Sequence, residues 1–263
     1  IVGINRWRLL EGSTFNAPPS LIQDFPLISQ SSSSFYTPLI TRNWPSGVSG
    51  KTQWSDLILA NPNSQQATVT IEVYSAQDGA GRKQGDLLKT ITRQIPANGW
   101  FNTYADNDWK ILPDNHNDSG TQTLAWAKIS SDKPIVGINR WRLLEGSTFN
   151  APPSLIQDFP LISQSSSSFY TPLITRNWPS GVSGKTQWSD LILANPNSQQ
   201  ATVTIEVYSA QDGAGRKQGD LLKTITRQIP ANGWFNTYAD NDWKILPDNH
   251  NDSGTQTLAW AKI

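Results

Sequence analysis

The sequence predicts an all-β protein: a tandem of antiparallel β-sandwiches, about seven strands each, linked head to tail. Three observations predict it. The chain repeats without error, its apolar residues alternate with period two in short runs, and turn-forming residues separate those runs. No stretch carries a convincing helical period.

The repeat comes first. Ile1-Val2-Gly3-Ile4-Asn5-Arg6-Trp7 recurs as Ile135-Val136-Gly137-Ile138-Asn139-Arg140-Trp141, an offset of 134. Every residue of 1–129 matches 135–263 at that offset, and only Ser130-Ser131-Asp132-Lys133-Pro134 occur once. Folding tolerates most surface changes within about 0.5 kcal/mol, so stability alone does not enforce such identity. Recent duplication or continuing homogenisation of an array does; an engineered tandem is the alternative.

The elements of one period follow in order. Residues 35–40 read as an opening strand. Residues 56–60 are a short apolar run, ended by the turn Asn61-Pro62-Asn63-Ser64. Ala67, Val69, Ile71 and Val73 alternate with Thr68, Thr70, Glu72 and Tyr74. A Gly-rich polar loop over 77–86 leads to a strand at 87–95, closed by Pro96-Ala97-Asn98-Gly99 and followed by 100–104. After a polar loop at 106–120, residues 121–129 alternate again. Ser131-Asp132-Lys133-Pro134 reads as a tight turn into a closing strand, 135–141. About seven short strands at this spacing point to an Ig-like sandwich.

The period is cut out of phase. Residues 1–9 read as the closing strand of a preceding sandwich, without its hairpin partner. A connector at 10–34 leads to a first sandwich at 35–143. A second connector at 144–168 leads to a second sandwich at 169–263 that lacks its closing strand. The expected joint is strand complementation between copies, or a window of a longer array. Its interface residues are Ile1, Val2, Ile4 and Trp7, with Ile135, Val136, Ile138 and Trp141. The connector carries Pro18-Pro19, Pro26 and Ser31–Ser34, yet also Phe15, Leu21, Ile22, Phe25, Leu27 and Ile28. Those apolar residues predict a docked strap rather than a free tether.

Composition excludes several functions. The chain has 263 residues, with Lys+Arg and Asp+Glu both 21, so its formal net charge is zero. A nucleic-acid binder normally carries a basic surplus, as does a polybasic membrane-surface protein. No apolar run is long enough for membrane insertion as a helix. Cys is absent, which excludes disulfides and thiolate chemistry; Met is absent too. A chain starting at Ile1 without Met reads as a processed piece or a window.

Candidate sites are few. Gly50-Lys51-Thr52 lacks the upstream Gly of a phosphate loop, since Pro45 stands there. His116 is the single histidine per period and has no activated Ser pattern nearby, so no catalytic residue is assigned and the protein is read as a non-enzyme without a cofactor. Asp106, Asp108, Asp114 and Asp118, with Asp240, Asp242, Asp248 and Asp252, form oxygen-rich loops that match calcium chemistry but not an EF-hand spacing; a solvated turn is the competing reading. Trp54 and Trp126 read as core. Trp109 and Trp243 are the candidates for stacking on a ligand such as a cell-surface glycan. Lys128 is the candidate lysine for an intramolecular isopeptide bond.

Three stretches, Leu57-Ile58-Leu59-Ala60-Asn61-Pro62-Asn63, Ala67-Thr68-Val69-Thr70-Ile71 and the run from Ala127 through Ser131-Asp132-Lys133-Pro134 to Val136, resemble a repeat type of large bacterial secreted and surface proteins. The resemblance covers about 35–141 of each period. It implies extracellular, Ig-like, array-forming modules of adhesins and cell-surface filaments, and it transfers no catalytic residue. The connector at 10–34 is not part of that pattern. The expected function is therefore a structural repeat module of a bacterial surface filament or giant adhesin, whose partner is another copy of itself. The alternative is a tandem carbohydrate-binding module, in which duplication raises avidity.

Overall fold

A computed structural model of the chain describes residues 4–10, 19–46, 49–77, 82–103, 122–146, 151, 153–176, 178–179, 183, 186–187, 189–211, 216–237 and 257–263. The chain divides into two units, Ile1–Gln164 and Ser165–Ile263. The division falls inside the second connector. Every paired strand among the described residues is antiparallel.

Unit 1 holds β1 (Ile4–Leu10), β2 (Pro19–Pro26), β3 (Ser32–Arg42), β4 (Trp44–Pro45), β5 (Thr52–Ala60), β6 (Ala67–Ser75), β7 (Leu87–Ile95), β8 (Trp100–Asn102), β9 (Thr123–Leu144) and β10 (Pro153–Pro160). The alternation read at 67–74 is the burial pattern of β6: Ala67, Val69, Ile71 and Val73 are buried and the residues between them are not. β-branched side chains suit such a pleated, half-buried surface. The turn after β5 is held by one side chain. Asn61 Nδ2 donates to the carbonyls of Gln65, Ile95 and Pro96, while its Oδ1 accepts from Asn63. Asn195 repeats this set in unit 2.

β9 corrects the sequence reading. The tight turn expected at Ser131-Asp132-Lys133-Pro134 does not form, and 121–129 does not pair with 135–141. Residues 123–129 and 135–141 lie in one continuous 22-residue strand, Thr123–Leu144. Its first half pairs with β3 and β6, and its second half with β5 and β10. The four turn-forming residues sit where the strand crosses from one set of partners to the other, a corner made by a strand that switches sheets. Side chains replace ladder partners there. Asp132 Oδ1 accepts from Thr68 N at 2.7 Å, and Pro134 O accepts from Asn63 Nδ2 at 2.7 Å. Proline, which lacks a backbone donor, fits such a break in the ladder. The arms thus form one curled eight-stranded sheet. They close on a shared core that includes Phe35, Ile40, Leu57, Leu59, Ile71 and Ile129.

The reading of the first strand as one without a partner is also corrected. β1 pairs along its length with β2 from the connector, Ile4 opposite Pro26 and Leu9 opposite Leu21. The same hairpin recurs between β9 and β10, Ile138 opposite Pro160 and Leu143 opposite Leu155. The connector pairs back on the closing strand over Pro19–Pro26, where its backbone is extended.

Unit 2 holds β11 (Tyr170–Arg176), β12 (Trp178–Pro179), β13 (Thr186–Gln187), β14 (Ile192–Ala194), β15 (Ala201–Ser209), β16 (Leu221–Ile229), β17 (Trp234–Asn236) and β18 (Thr257–Lys262). β11, β18, β15 and β16 make a four-stranded sheet. Its core is smaller and includes Ile174, Ile205, Val207, Ile225, Ala259 and Ala261.

Candidate functional site

The two units carry copies of one repeat, and among the described residues they differ along the edge of β5. In unit 1 the second half of β9 lies between β5 and β10. Ala60 faces Val136, Ile58 faces Ile138 and Asp56 faces Arg140 on one side; Asp158 faces Arg140 on the other. β5 is a continuous strand of nine residues along this seam. Its copy in unit 2 is broken into β13 and β14, of two and three residues. Among the described residues β14 pairs only with β17. At the front of the chain β1, the copy of the closing strand, pairs only with β2 among the described residues. Among the described residues the seam therefore has strands on both edges only around β9.

Alternating residues of β9 divide the seam by face. Toward the core, Gly137 lets two leucines close over it. A Cβ there would stand 2.6 Å from Leu59 Cδ2 and 2.7 Å from Leu161 Cδ1. Leu161 follows β10 and is 8% exposed. Its N–H donates to Gly137 O at 3.1 Å, and Ile162 and Tyr36 exchange backbone hydrogen bonds at 3.0 and 2.7 Å. The connector is thereby sewn onto unit 1 past the end of β10. Buried Asn139 spans to β3, donating to Thr37 Oγ1 at 2.9 Å and Leu39 O at 2.7 Å. It meets the register shift between Thr37 and Ile40, where the ladder leaves backbone groups to satisfy.

The opposite face is charged yet largely buried. Arg140 grips Asp158 through two parallel bonds of 2.8 Å, Nε to Oδ1 and Nη2 to Oδ2. That hydrogen bonding holds the Arg140 guanidinium above its ordinary value. Arg142 donates to Asp56, and both side chains are nearly sealed from water. Burial pushes the Asp56 carboxyl up; the attraction of Arg142 works against this and does not cancel it. Arg42, itself buried, sits 5.0 Å over the Trp54 ring. Trp54 Nε1 in turn donates to Thr52 Oγ1 at 2.8 Å.

Copies of the residues buried at this seam are exposed elsewhere in the chain. Phe35 is 2% exposed and its copy Phe169 is 41% exposed. Asp56 is buried and its copy Asp190 is exposed. Leu161 is buried, whereas its copy Leu27, after β2, is 58% exposed.

The sequence-predicted residues distribute as follows. Ile135 is fully buried in the core; Val136, Ile138 and Trp141 are half-buried along the seam. Ile4 is exposed on β1, and Trp7 lies on the same strand opposite Gln23. Ile1 and Val2 lie outside the described residues, as do Trp109, Trp243, His116 and all eight aspartates of the calcium reading. Among the described residues no cluster of three or more His, Asp or Glu is placed to hold a cation. Trp54 and Trp126 are fully buried. Lys128 Nζ stands 3.6 Å from the Glu72 carboxylate, a partly exposed ion pair. Asn139, Arg142, Asp56, Gly137 and Leu161 were not singled out by sequence reasoning. The available signal was the pair of arginines, with Asn139, in a mostly apolar closing strand.

No protein-family model and no curated protein matches the chain. A solved structure, titled as the crystal structure of Thermotoga maritima 1070, aligns at 12% identity with a TM-score of 0.31. The alignment covers 52% of this chain and 98% of that one. A likeness at that score carries no argument about fold or function.

Proposed function

We propose that the protein is a structural repeat module of an extracellular bacterial surface filament or giant adhesin. Its modules are Ig-like sandwiches joined head to tail, and its partner is another copy of the same repeat. One observation carries the reading: among the described residues the closing strand at 136–144 is paired on both edges, while its copy β1 pairs only with β2, and β14, a copy of part of the strand it lies against, pairs only with β17. Joining one copy of the repeat to the next uses the same contacts at every joint. Such a heterologous contact propagates as a fibre when it does not close into a ring.

Two further features support it. An error-free repeat suits an array in which each module needs only its neighbours. A composition with neither Cys nor Met spares an exposed protein the commonest oxidative lesions.

Electron microscopy of the concentrated chain tests the reading. Unbranched filaments with one regular repeat are expected. Separate particles of a single size at every concentration would contradict it.

A further inference from the structure

Both units end a sheet on the same strand. Among the described residues β7 pairs with β6 alone, and its copy β16 with β15 alone. Each is nine residues long, reads Leu-Leu-Lys-Thr-Ile-Thr-Arg-Gln-Ile, and has the same burial pattern in both units. A long edge of this kind is a template for adding another strand. Apart from its two cations the segment has the composition of a self-pairing strand: apolar and β-branched residues, with no Gly, Pro or acid. Leu87 and Leu221, exposed at the start of each strand, add to that tendency.

We infer that Lys89 and Arg93, with Lys223 and Arg227 in unit 2, form an electrostatic guard that keeps this edge from pairing with its own copies, so that chains do not add side by side. This goes beyond head-to-tail joining and holds with or without it.

The spacing of the cations makes the guard independent of register. Ile91 is buried, and Lys89 and Arg93 stand two residues to either side of it, so all three fall on one face of β7. Two copies laid antiparallel with Ile91 opposite itself bring Lys89 opposite Arg93, and like charges directly opposed destabilise a pair. Sliding one copy by two residues sets a cation against Ile91. Sliding it by four sets Lys89 against Lys89, or Arg93 against Arg93. An odd slip turns the apolar face of one copy to the polar face of the other. Parallel, in-register pairing stacks each cation on its own copy. The Glu72 carboxylate does not relieve this, because Glu72 pairs with Thr90 and shares its face, opposite to that of Lys89.

The main chain of the edge is engaged as well. Arg93 Nη1 donates to the Thr92 carbonyl at 2.8 Å, and Arg227 Nη1 donates to the Thr226 carbonyl at 2.8 Å. The guanidinium therefore holds its charge against the backbone that an added strand would have to approach. Charges placed on a strand of high β-propensity are a common defence against edge-to-edge association.

Hydrogen-exchange mass spectrometry of the full chain over a concentration series tests this, read at residues 87–95 and 221–229. In the parent chain these amides are expected to exchange at the same rate at every concentration. The fourfold variant Lys89→Thr, Arg93→Thr, Lys223→Thr and Arg227→Thr is expected to show slowed exchange there, starting at roughly a hundredfold lower concentration than any that slows the parent. A second variant carries Lys89→Glu, Arg93→Glu, Lys223→Glu and Arg227→Glu. Alone it is expected to keep the edge fast; mixed with an equal amount of parent it is expected to slow it, because each cation then meets a carboxylate. Slowing in the parent that rises with its own concentration would overturn the inference. So would a threonine variant of parental circular dichroism whose edge stays fast. Should the threonine variant not fold, the mixture decides alone: slowed exchange supports the guard and fast exchange overturns it.

Discussion

Leu161 and Gly137 meet so closely that a single added methyl group on the glycine would collide with the leucine, at 2.7 Å. The contact joins residues from the connector and the closing strand. It makes the linker part of the module that precedes it.

Gly137→Val is therefore expected to destabilise unit 1 by about 1–3 kcal/mol through overpacking. Leu161 would be driven out and the Tyr36–Ile162 backbone bonds would open with it. Leu161→Ala removes the same plug from the other side, for about 2–4 kcal/mol. Denaturant melts check both, and the exchange rate of the Ile162 amide reports the connector directly.

Arg142→Met is expected to cost about 3–5 kcal/mol at neutral pH, because it leaves the Asp56 carboxylate buried without its partner. The sign of the pH dependence follows from Asp56. Its folded-state value is raised, so stability from this group is complete below the ordinary carboxylate range and is lost as pH rises through the raised value. Without Arg142 the carboxyl rises further. The difference between variant and parent should shrink on acidification, measured as paired melts across pH. A difference that grows on acidification would contradict the burial argument.

Asn61 and Asn195 make the same bonds in both units, whereas the bonds of Asn139 belong to unit 1. Asn61→Ala and Asn195→Ala are each expected to destabilise their own unit by about 1–3 kcal/mol, since three carbonyls, one of them buried, lose a donor. Asn139→Ala should lower only the transition of unit 1. Two-transition calorimetry separates these outcomes.

Much of the fold is legible in the sequence, and the exceptions have causes. β6 follows from alternation alone, because one of its faces is buried and period two records that burial. The corner in β9 does not follow. Ser131-Asp132-Lys133-Pro134 has turn chemistry, but Thr68 and Asn63 supply partners that hold it extended, and those partners lie more than sixty residues away. The apolar residues of the connector flag docking; that it docks as a strand on its own predecessor is a tertiary fact. At the seam, Ile135, Val136, Ile138 and Trp141 are visible as apolar strand residues. Asp56 and Arg142 are not, because a charge in a strand reads as a solvent face until its partner is placed beside it.

The account turns on an edge that, among the described residues, β9 covers in unit 1 and that pairs only with β17 in unit 2. Residues 52–60 and 186–194 are chemically identical, so hydrogen-exchange mass spectrometry records both in one mass envelope. In dilute solution that envelope should split into two equal populations, slow for the copy that β9 covers and fast for the other. Raising the protein concentration should convert the fast population into the slow one as copies of the repeat join. A single slow population at high dilution, or two that never merge, would contradict the account.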